Sequence, residues 1–460
     1  MLDTIHWNAD LIRRYDVAGP RYTSYPTAVQ FHEGVGTLDL LRALKQSREA
    51  NKPLSLYIHV PFCANICYYC GCNKVITKDR GYADPYIQRL MNEIRLVSKY
   101  LKKGQLVEQI HFGGGTPTFL TIEQITKVVE TLQKYFRFAD NADCDFSIEI
   151  DPREADWTTI GQLRDLGFNR ISLGVQDFDT DVQAAVNRLQ PFEQTQAVID
   201  AARTLQYRSI NVDLIYGLPK QTAAKFARTV DEIIALQPDR LSVFNYAHLP
   251  ERFKPQRRIH AEDLPLPTEK LEILQNTIEQ LTSAGYRYIG MDHFALPDDE
   301  LAYAQEEGTL WRNFQGYNTH GYCDLIGLGV SSISQIGDLY CQNTTDLMAY
   351  EAAIDSEQFA SKRGLICNQD DCIRREVIQQ LICHFHVNFS EIEKKFNINF
   401  KNYFKSAFPQ LQQMAKDELL TLDETGITVQ NTGRLLIRSV CMLFDAYLNK
   451  QLLQRFSRVI

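Results

Sequence analysis

Four cysteines, Cys63, Cys67, Cys70 and Cys72, share one short loop with the spacing C-x3-C-x2-C-x-C. The apolar, strand-like stretch 57–62 leads directly into them, and the residues between them are aromatic, small or apolar. Thiolates this dense suit soft-metal or redox chemistry. Structural zinc usually takes two C-x2-4-C pairs from separate hairpins or helices to close a tetrahedron. Here no second pair, and no histidine pair at matching distance, accompanies the loop. Three thiolates at x3 and x2 spacing can reach three corners of one cubane cluster, leaving one iron open to a small molecule. Zinc binding and redox switching stay open as alternatives.

Further residues of chemical interest recur downstream. Gly113-Gly114-Gly115-Thr116-Pro117-Thr118 lets backbone approach a ligand closely, because glycine has no Cβ. It lacks the lysine of a phosphate loop and the G-x-G-x-x-G pattern, so a nucleotide-phosphate site is disfavoured. Alone it reads as a tight strand-to-helix turn. Glu149 and Asp213 stand in apolar, strand-like surroundings where a charge needs a partner. Arg188 taken alone is an ordinary surface cation. His59 and His111 read as hydrogen-bonded core histidines rather than ligands. The pair Tyr68-Tyr69 either shields the thiols from water or stacks on a planar ligand, and spacing does not decide.

These residues need a scaffold, and the pattern of the chain supplies one. Strand-like runs at 55–61, 109–112, 144–150, 170–175, 210–215 and 241–246 alternate with helical stretches, with a further strand possible at 286–291. Thr121 and Gln124 have the capping-box spacing at the start of one helix. Successive strand–helix units imply a parallel sheet with right-handed crossovers, curved into a whole or partial barrel. In such barrels function collects at the C-terminal ends of strands. The cysteine loop, the glycine run, Glu149, Asp151, Gln176, Asp213, Asn245 and His248 all fall at or near those ends.

Outside this core, the stretch Gly19-Pro20-Arg21-Tyr22-Thr23-Ser24-Tyr25-Pro26-Thr27 marks an N-terminal arm over 1–50. Its composition favours tyrosines packed on the main domain over a cover for the site. The barrel with its extension spans 51–364, and 365–460 reads as a mostly α-helical domain with a long helix over 434–447. A net charge of −8 argues against a protein that mainly grips nucleic acid phosphates. The eleven cysteines, no leader-like N-terminus and no long apolar run point to a cytoplasmic chain with free thiols.

Cys63-x3-Cys67-x2-Cys70 is similar to the signature of the radical S-adenosylmethionine (SAM) enzymes, and the glycine run resembles their GGEP-type turn. The Pro20–Thr27 stretch, Cys72, Gly174-Val175-Gln176-Asp177-Phe178, Asn245-Tyr246-Ala247-His248-Leu249-Pro250, Gly290-Met291-Asp292-His293-Phe294-Ala295 and Gly433-Arg434-Leu435-Leu436-Ile437-Arg438 go further. Together they resemble the oxygen-independent coproporphyrinogen III dehydrogenase (oxidase) family over essentially the whole chain.

The resemblance implies an α/β fold, a partial (β/α)6 TIM-like barrel with an N-terminal arm and the helical C-terminal domain. It implies a [4Fe–4S] cluster on Cys63, Cys67 and Cys70, with Cys72 nearby but not on iron. It places Tyr57, Gly114, Glu149 and Ile333 on one SAM. Tyr69, Gly115, Thr116, Gln176, Arg188, Asp213 and Ala247 would line a second SAM. Tyr69 stands where the family often has Phe, and Gly115 where the wider superfamily has Glu. The implied reaction, in haem biosynthesis without oxygen, turns two propionates of coproporphyrinogen III into vinyl groups, giving protoporphyrinogen IX. A 5′-deoxyadenosyl radical would start it, and an external electron donor would supply the monomeric enzyme. Arg21 and Arg312 are candidates for the substrate carboxylates. The rival is a haem-binding chaperone of the same superfamily; such relatives tend to lack Cys72 and the N-terminal arm.

Overall fold

The computed structural model describes residues 5–140 and 143–448. The first four residues of the N-terminal reading and positions 449–460 of the C-terminal domain lie outside them. The chain forms two compact units that alternate along the sequence. One comprises Phe31–Ile273 and Tyr322–Ile366; the other comprises Met1–Gln30, Leu274–Gly321 and Cys367–Ile460. The division at Ile366 and Cys367 lies two residues from the sequence boundary at 364, whereas the division at Gln30 and Phe31 and the grouping of 274–321 with the segments outside the barrel differ from the sequence boundaries.

The larger unit is the barrel. Its strands and helices alternate as β1 (Leu54–Val60), α1 (Asp84–Ser98), β2 (Leu106–Gly114), α2 (Ile122–Tyr135), β3 (Asp145–Ile150), α3 (Trp157–Asp165), β4 (Arg170–Gln176), α4 (Phe192–Thr204), β5 (Ser209–Tyr216), α5 (Ala223–Leu236) and β6 (Arg240–Asn245). Each of the first five strands pairs in parallel with the next, the winding of a barrel rather than of a doubly wound sheet. A seventh parallel strand, β7 (Asp324–Leu328), joins β1 on its other side. Three antiparallel strands, β8 (Ile333–Ile336), β9 (Leu339–Asn343) and β10 (Ser361–Ile366), extend that edge.

Period-two alternation gives the strands two unlike faces. Leu56, Ile58, Val60, Ile110, Phe112, Ile148, Leu173, Val212 and Leu214 are buried on one face. Burying each such side chain contributes about 1.5–3 kcal/mol. The opposite face carries Tyr57, His111, Ser147, Glu149, Ser172, Asn211 and Asp213, most of them half-buried. Register aligns this polar row: Tyr57 lies opposite His111, His111 opposite Ser147, Glu149 opposite Ser172, and Gly174 opposite Asp213. Helix starts are set locally. Thr121 and Gln124 form the expected reciprocal cap of α2, and Asp156 and Thr222 cap α3 and α5. Each cap is worth about 1 kcal/mol.

In the smaller unit Arg287–Gly290 pairs antiparallel with His293–Ala295, so 286–291 adds no parallel strand to the barrel series. The helices α6 (Gln369–His384) and α7 (Phe389–Phe396) accompany a three-stranded antiparallel sheet, His386–Asn388, Gly426–Val429 and Leu420–Leu422. The long helix expected over 434–447 is broken into Arg434–Leu436, Ile437–Cys441 and Met442–Phe444. The backbone donors of Ala446 and Tyr447 go to the Tyr25 hydroxyl and the Asp445 carboxylate instead of helix carbonyls. The tyrosines of the N-terminal arm are buried as expected, but their partners within this unit lie in the C-terminal segment. Tyr22 donates to Asp445 at 3.0 Å, and Arg438 Nε donates to the Pro20 carbonyl at 2.9 Å.

Candidate functional site

The cysteine loop follows β1 and is pinned from several directions. Tyr68 N–H donates to the Val186 carbonyl at 3.0 Å, and Asn187 Nδ2 donates to the Ile66 carbonyl at 2.7 Å. Tyr68 and Tyr69 pack on a buried apolar cluster that includes Val182, Val186, Leu218, Tyr246 and Ile259. Of the two aromatic readings, shielding against apolar neighbours is thus visible in the geometry.

Each of the first three sulfurs has a donor supplied by another part of the unit or loop. Thr116 Oγ1 lies 3.5 Å from Cys63 Sγ, Arg188 Nη1 3.5 Å from Cys67 Sγ, and Cys72 N–H 3.4 Å from Cys70 Sγ. Burial pushes the Cys63 thiol up to about 11. Cys70 is pulled down to about 5, chiefly by the hydrogen bond from the Cys72 side chain. Cys72 is correspondingly held well above its ordinary value by that same bond. Three thiols with donors aimed at sulfur, plus a fourth that itself acts as donor, suit a three-ligand iron–sulfur site.

Asp151 organises the positive side. Its carboxylate receives Arg188 Nη1 at 3.0 Å and Arg153 Nη2 at 2.7 Å, and Arg153 Nη2 also lies 3.9 Å from Cys67 Sγ. Burial opposes the Asp151 charge, yet the two guanidiniums hold its carboxyl below the usual range. Arg188 is buried, with Nε lacking a hydrogen-bond partner. The surface-cation reading of Arg188 is therefore wrong: a charge this deep is held by a structured site. The Tyr69 hydroxyl lies beside Arg188 and Cys67, which gives the added oxygen its company.

The glycine turn is shaped by backbone contact. Gly115 N–H donates to the Val60 carbonyl at 2.7 Å and Thr116 N–H to the Phe62 carbonyl at 2.8 Å. A Cβ at Gly115 would stand 2.7 Å from the Phe62 carbonyl oxygen, which excludes the glutamate found here in the wider superfamily. Gly114, at φ +116°, would put a Cβ 2.6 Å from the His59 ring.

Glu149 closes the turn from β3. It accepts from Gly114 N–H at 3.1 Å and contacts His111 Nε2 at 3.2 Å, while His111 Nδ1 contacts Ser147 Oγ at 2.6 Å. Burial raises the Glu149 carboxyl, but His111 and the Gly114 amide outweigh it and hold it below its ordinary value. Its side chain still keeps 42% of its surface open, so the carboxylate faces a space rather than solid core. Asp213 on β5 accepts from Asn211 at 2.8 Å and Ser172 at 3.2 Å, and is pushed up to about 6 by burial and by Glu149. Both histidines are hydrogen-bonded as expected, His59 to the Tyr57 hydroxyl at 3.1 Å.

The barrel unit thus contains all of Tyr57, Cys63, Cys67, Tyr69, Cys70, Gly114, Gly115, Thr116, Glu149, Gln176, Arg188, Asp213, Ala247 and Ile333. Gln176, with φ +72°, ends β4; Ala247 follows β6; Ile333 begins β8. Arg21 and Arg312 belong to the other unit, where Arg21 pairs with Asp292 at 3.0 Å and Arg312 lies over the Tyr317 ring. Arg153 escaped the sequence reading. Its signal is the alternation Glu149-x-Asp151-x-Arg153, which carries one polar row past the end of β3.

Comparison with known proteins agrees with this geometry. The Radical SAM superfamily matches residues 57–233, and the HemN C-terminal domain matches residues 367–436. An oxygen-independent coproporphyrinogen III oxidase of Pseudomonas aeruginosa is 66% identical over 460 residues, covering 100% of both chains. Its counterpart from Escherichia coli is 51% identical over 457 residues, covering 99% of each. The solved structure of coproporphyrinogen III oxidase (HemN) from Escherichia coli, a radical SAM enzyme, superposes with a TM-score of 0.92 at 50% identity, over 97% of this chain and 100% of that one. The chain belongs to the oxygen-independent coproporphyrinogen III oxidase family of radical SAM enzymes.

Proposed function

We propose that this protein converts coproporphyrinogen III to protoporphyrinogen IX by oxidative decarboxylation of two propionate side chains to vinyl groups. The observation that carries the reading is the ring of thiols, glycine turn and carboxylates at the ends of β1 to β5, in a chain so similar to named oxidases. A [4Fe–4S] cluster and SAM supply, when bound, the hydrogen-abstracting power that starts the reaction.

Cys63, Cys67 and Cys70 hold the cluster, with Cys72 donating to the Cys70 sulfur rather than binding iron. Tyr57, Gly114, Glu149 and Ile333 would hold one SAM beside the cluster. The lowered Glu149 carboxyl accepts from ribose hydroxyls and favours a neighbouring sulfonium. A second SAM lies along Tyr69, Gly115, Thr116, Gln176, Arg188, Asp213 and Ala247. The unpartnered Arg188 Nε is a donor suited to its carboxylate. Arg21 and Arg312 stand as the candidate cations for the substrate carboxylates. The enzyme works in the cytoplasm as a monomer supplied by an external electron donor. No helix among the described residues is long and apolar enough to cross a membrane.

The test is an anaerobic assay of reconstituted protein with SAM, a reductant and coproporphyrinogen III. Protoporphyrinogen IX is the expected product. Stable haem binding with no protoporphyrinogen would overturn the reading in favour of a haem carrier.

A further inference from the structure

The segment after β6 is fastened to the cysteine loop at three points. Gln256 Nε2 donates to the Tyr69 carbonyl at 2.9 Å, and the Arg258 guanidinium lies 5.1 Å over the Tyr68 ring. Phe253 approaches Gly71 so closely that a Cβ there would meet its ring at 3.0 Å. Gln256 is buried and also accepts from Leu249 N–H at 2.6 Å, which fixes the segment's inner side.

The outer side carries Arg252, Lys254, Arg257 and Arg258, all exposed. Arg257 donates to the Pro250 carbonyl, Arg258 to the Tyr68 hydroxyl, and Arg252 lies over Phe253. Among the described residues none of these four is in an ion pair with a carboxylate. Elsewhere on the same unit surface arginines are paired, as Arg95 with Glu357 and Arg203 with Asp239. Glu251, Glu262 and Asp263 flank the run, three carboxylates against its four cations. Other exposed cations of the unit, such as Lys102, Lys103 and Lys134, also stand outside any ion pair among the described residues, but on a chain of net charge −8 this run of four is the one that clamps Tyr68, Tyr69 and Gly71.

We propose that this face docks an acidic one-electron carrier protein that reduces the cluster. The proposal rests on the reading of Cys63, Cys67 and Cys70 as cluster ligands. The carrier loses one electron and the cluster gains it, with no bond broken and no proton moved. Such encounters are brief and small, and opposite charge raises their association rate far more than their lifetime. The net acidity of the chain repels an acidic carrier, and the basic segment favours an approach that ends at the cysteine loop. A nucleic acid is the poorer occupant, because the run is short, flanked by carboxylates and set on an acidic protein.

The test uses reconstituted holoenzyme carrying Arg252→Glu, Lys254→Glu and Arg257→Glu together; Arg258 is kept because it stacks on Tyr68. Electrons come from dithionite or, separately, from two acidic carriers, a reduced plant-type [2Fe–2S] ferredoxin and a reduced flavodoxin. With a carrier, the second-order rate of cluster reduction falls at least tenfold in the variant at low ionic strength. Added salt slows the parent and not the variant, while dithionite-driven turnover is the same in both. Equal carrier rates in parent and variant, a parent reduced by neither carrier, or salt-independent rates each overturn the docking. A DNA duplex retained by the parent and lost by the variant, with carrier rates unchanged, also overturns it. No dithionite-driven turnover in the parent counts instead against the cluster reading. If only the triple variant loses dithionite turnover, Lys254→Glu alone carries the comparison, with a smaller loss of the same kind expected.

Discussion

Arg188 Nη1 lies 3.0 Å from Asp151 Oδ2 and 3.5 Å from Cys67 Sγ, so one buried carboxylate aims a guanidinium at the Cys67 sulfur. Arg153 shares the carboxylate at 2.7 Å. Two cations on one anion leave a net positive charge beside the Cys67 sulfur. Asp151→Asn removes the carboxylate that Arg188 and Arg153 share. Breaking such a buried pair costs about 3–5 kcal/mol. Urea denaturation of the apo-protein is expected to show a loss of that size, and a change below about 1 kcal/mol would refute the hub role.

The three-to-one division of the cysteines has its own signature. On the proposed ligand set, Cys63→Ser, Cys67→Ser or Cys70→Ser would each remove a ligand, so iron and sulfide per chain are expected to fall to near zero after anaerobic reconstitution. Cys72→Ser keeps iron, because its backbone N–H to Cys70 remains and only the side-chain donor changes. Metal analysis with ultraviolet–visible spectra checks this. Loss of the cluster in Cys72→Ser alone would mean that the open iron has been assigned to the wrong corner.

Gly115 is constrained by backbone on the far side of its missing Cβ, with the Phe62 oxygen at 2.7 Å and the Pro61 carbonyl carbon at 2.9 Å. Backbone atoms cannot swing aside as a long side chain can. Gly115→Ala is expected to cost about 1–3 kcal/mol and to weaken SAM binding, measured by thermal unfolding and calorimetric titration. Gly161, inside α3 with its nearest neighbour at 3.9 Å, is the control. There alanine gains up to about 1 kcal/mol from helix propensity.

Asp213 is pushed up to about 6 by burial and by the charge on Glu149. The raised value means that the folded chain holds this proton where an unfolded chain, near pKa 3.9, has released it. Its contribution to stability is therefore present below about pH 4 and is lost as pH rises through about 6. Cation binding runs the other way: a sulfonium prefers the ionised form, so SAM affinity at this position rises up to about tenfold per unit as pH approaches 6 from below. Titrations across pH 5–8 on the parent and Asp213→Asn check both signs. The asparagine variant is expected to flatten them, and an unchanged profile would remove Asp213 from the second site.

Much of this molecule was legible before any fold. Three cysteines at fixed short spacing on one loop must lie close in space whatever the remainder does, so the cluster motif needed only local sequence. The six parallel strands were legible for a similar reason: alternating apolar runs admit few ways of burial, and their register follows from which face is apolar. Strand ends extended by one to three residues, as in β2 and β5, because pairing to a neighbour continues after the apolar pattern fades.

Other features had no local signal. Whether 286–291 or 324–328 supplied a seventh parallel strand depended on which one pairs with β1, a contact across more than two hundred residues. The helix expected over 434–447 yielded to a tertiary hydrogen bond from Ala446 N–H to the Tyr25 hydroxyl and a local one from Tyr447 N–H to the Asp445 carboxylate. Arg188 carries no mark of burial in its own neighbourhood; Asp151, thirty-seven positions away, gives it one. The sequence by itself determined which side chains can do chemistry and on which strand ends they stand. Only the tertiary structure decided their charge states and partners, because those depend on burial and on groups brought close by folding.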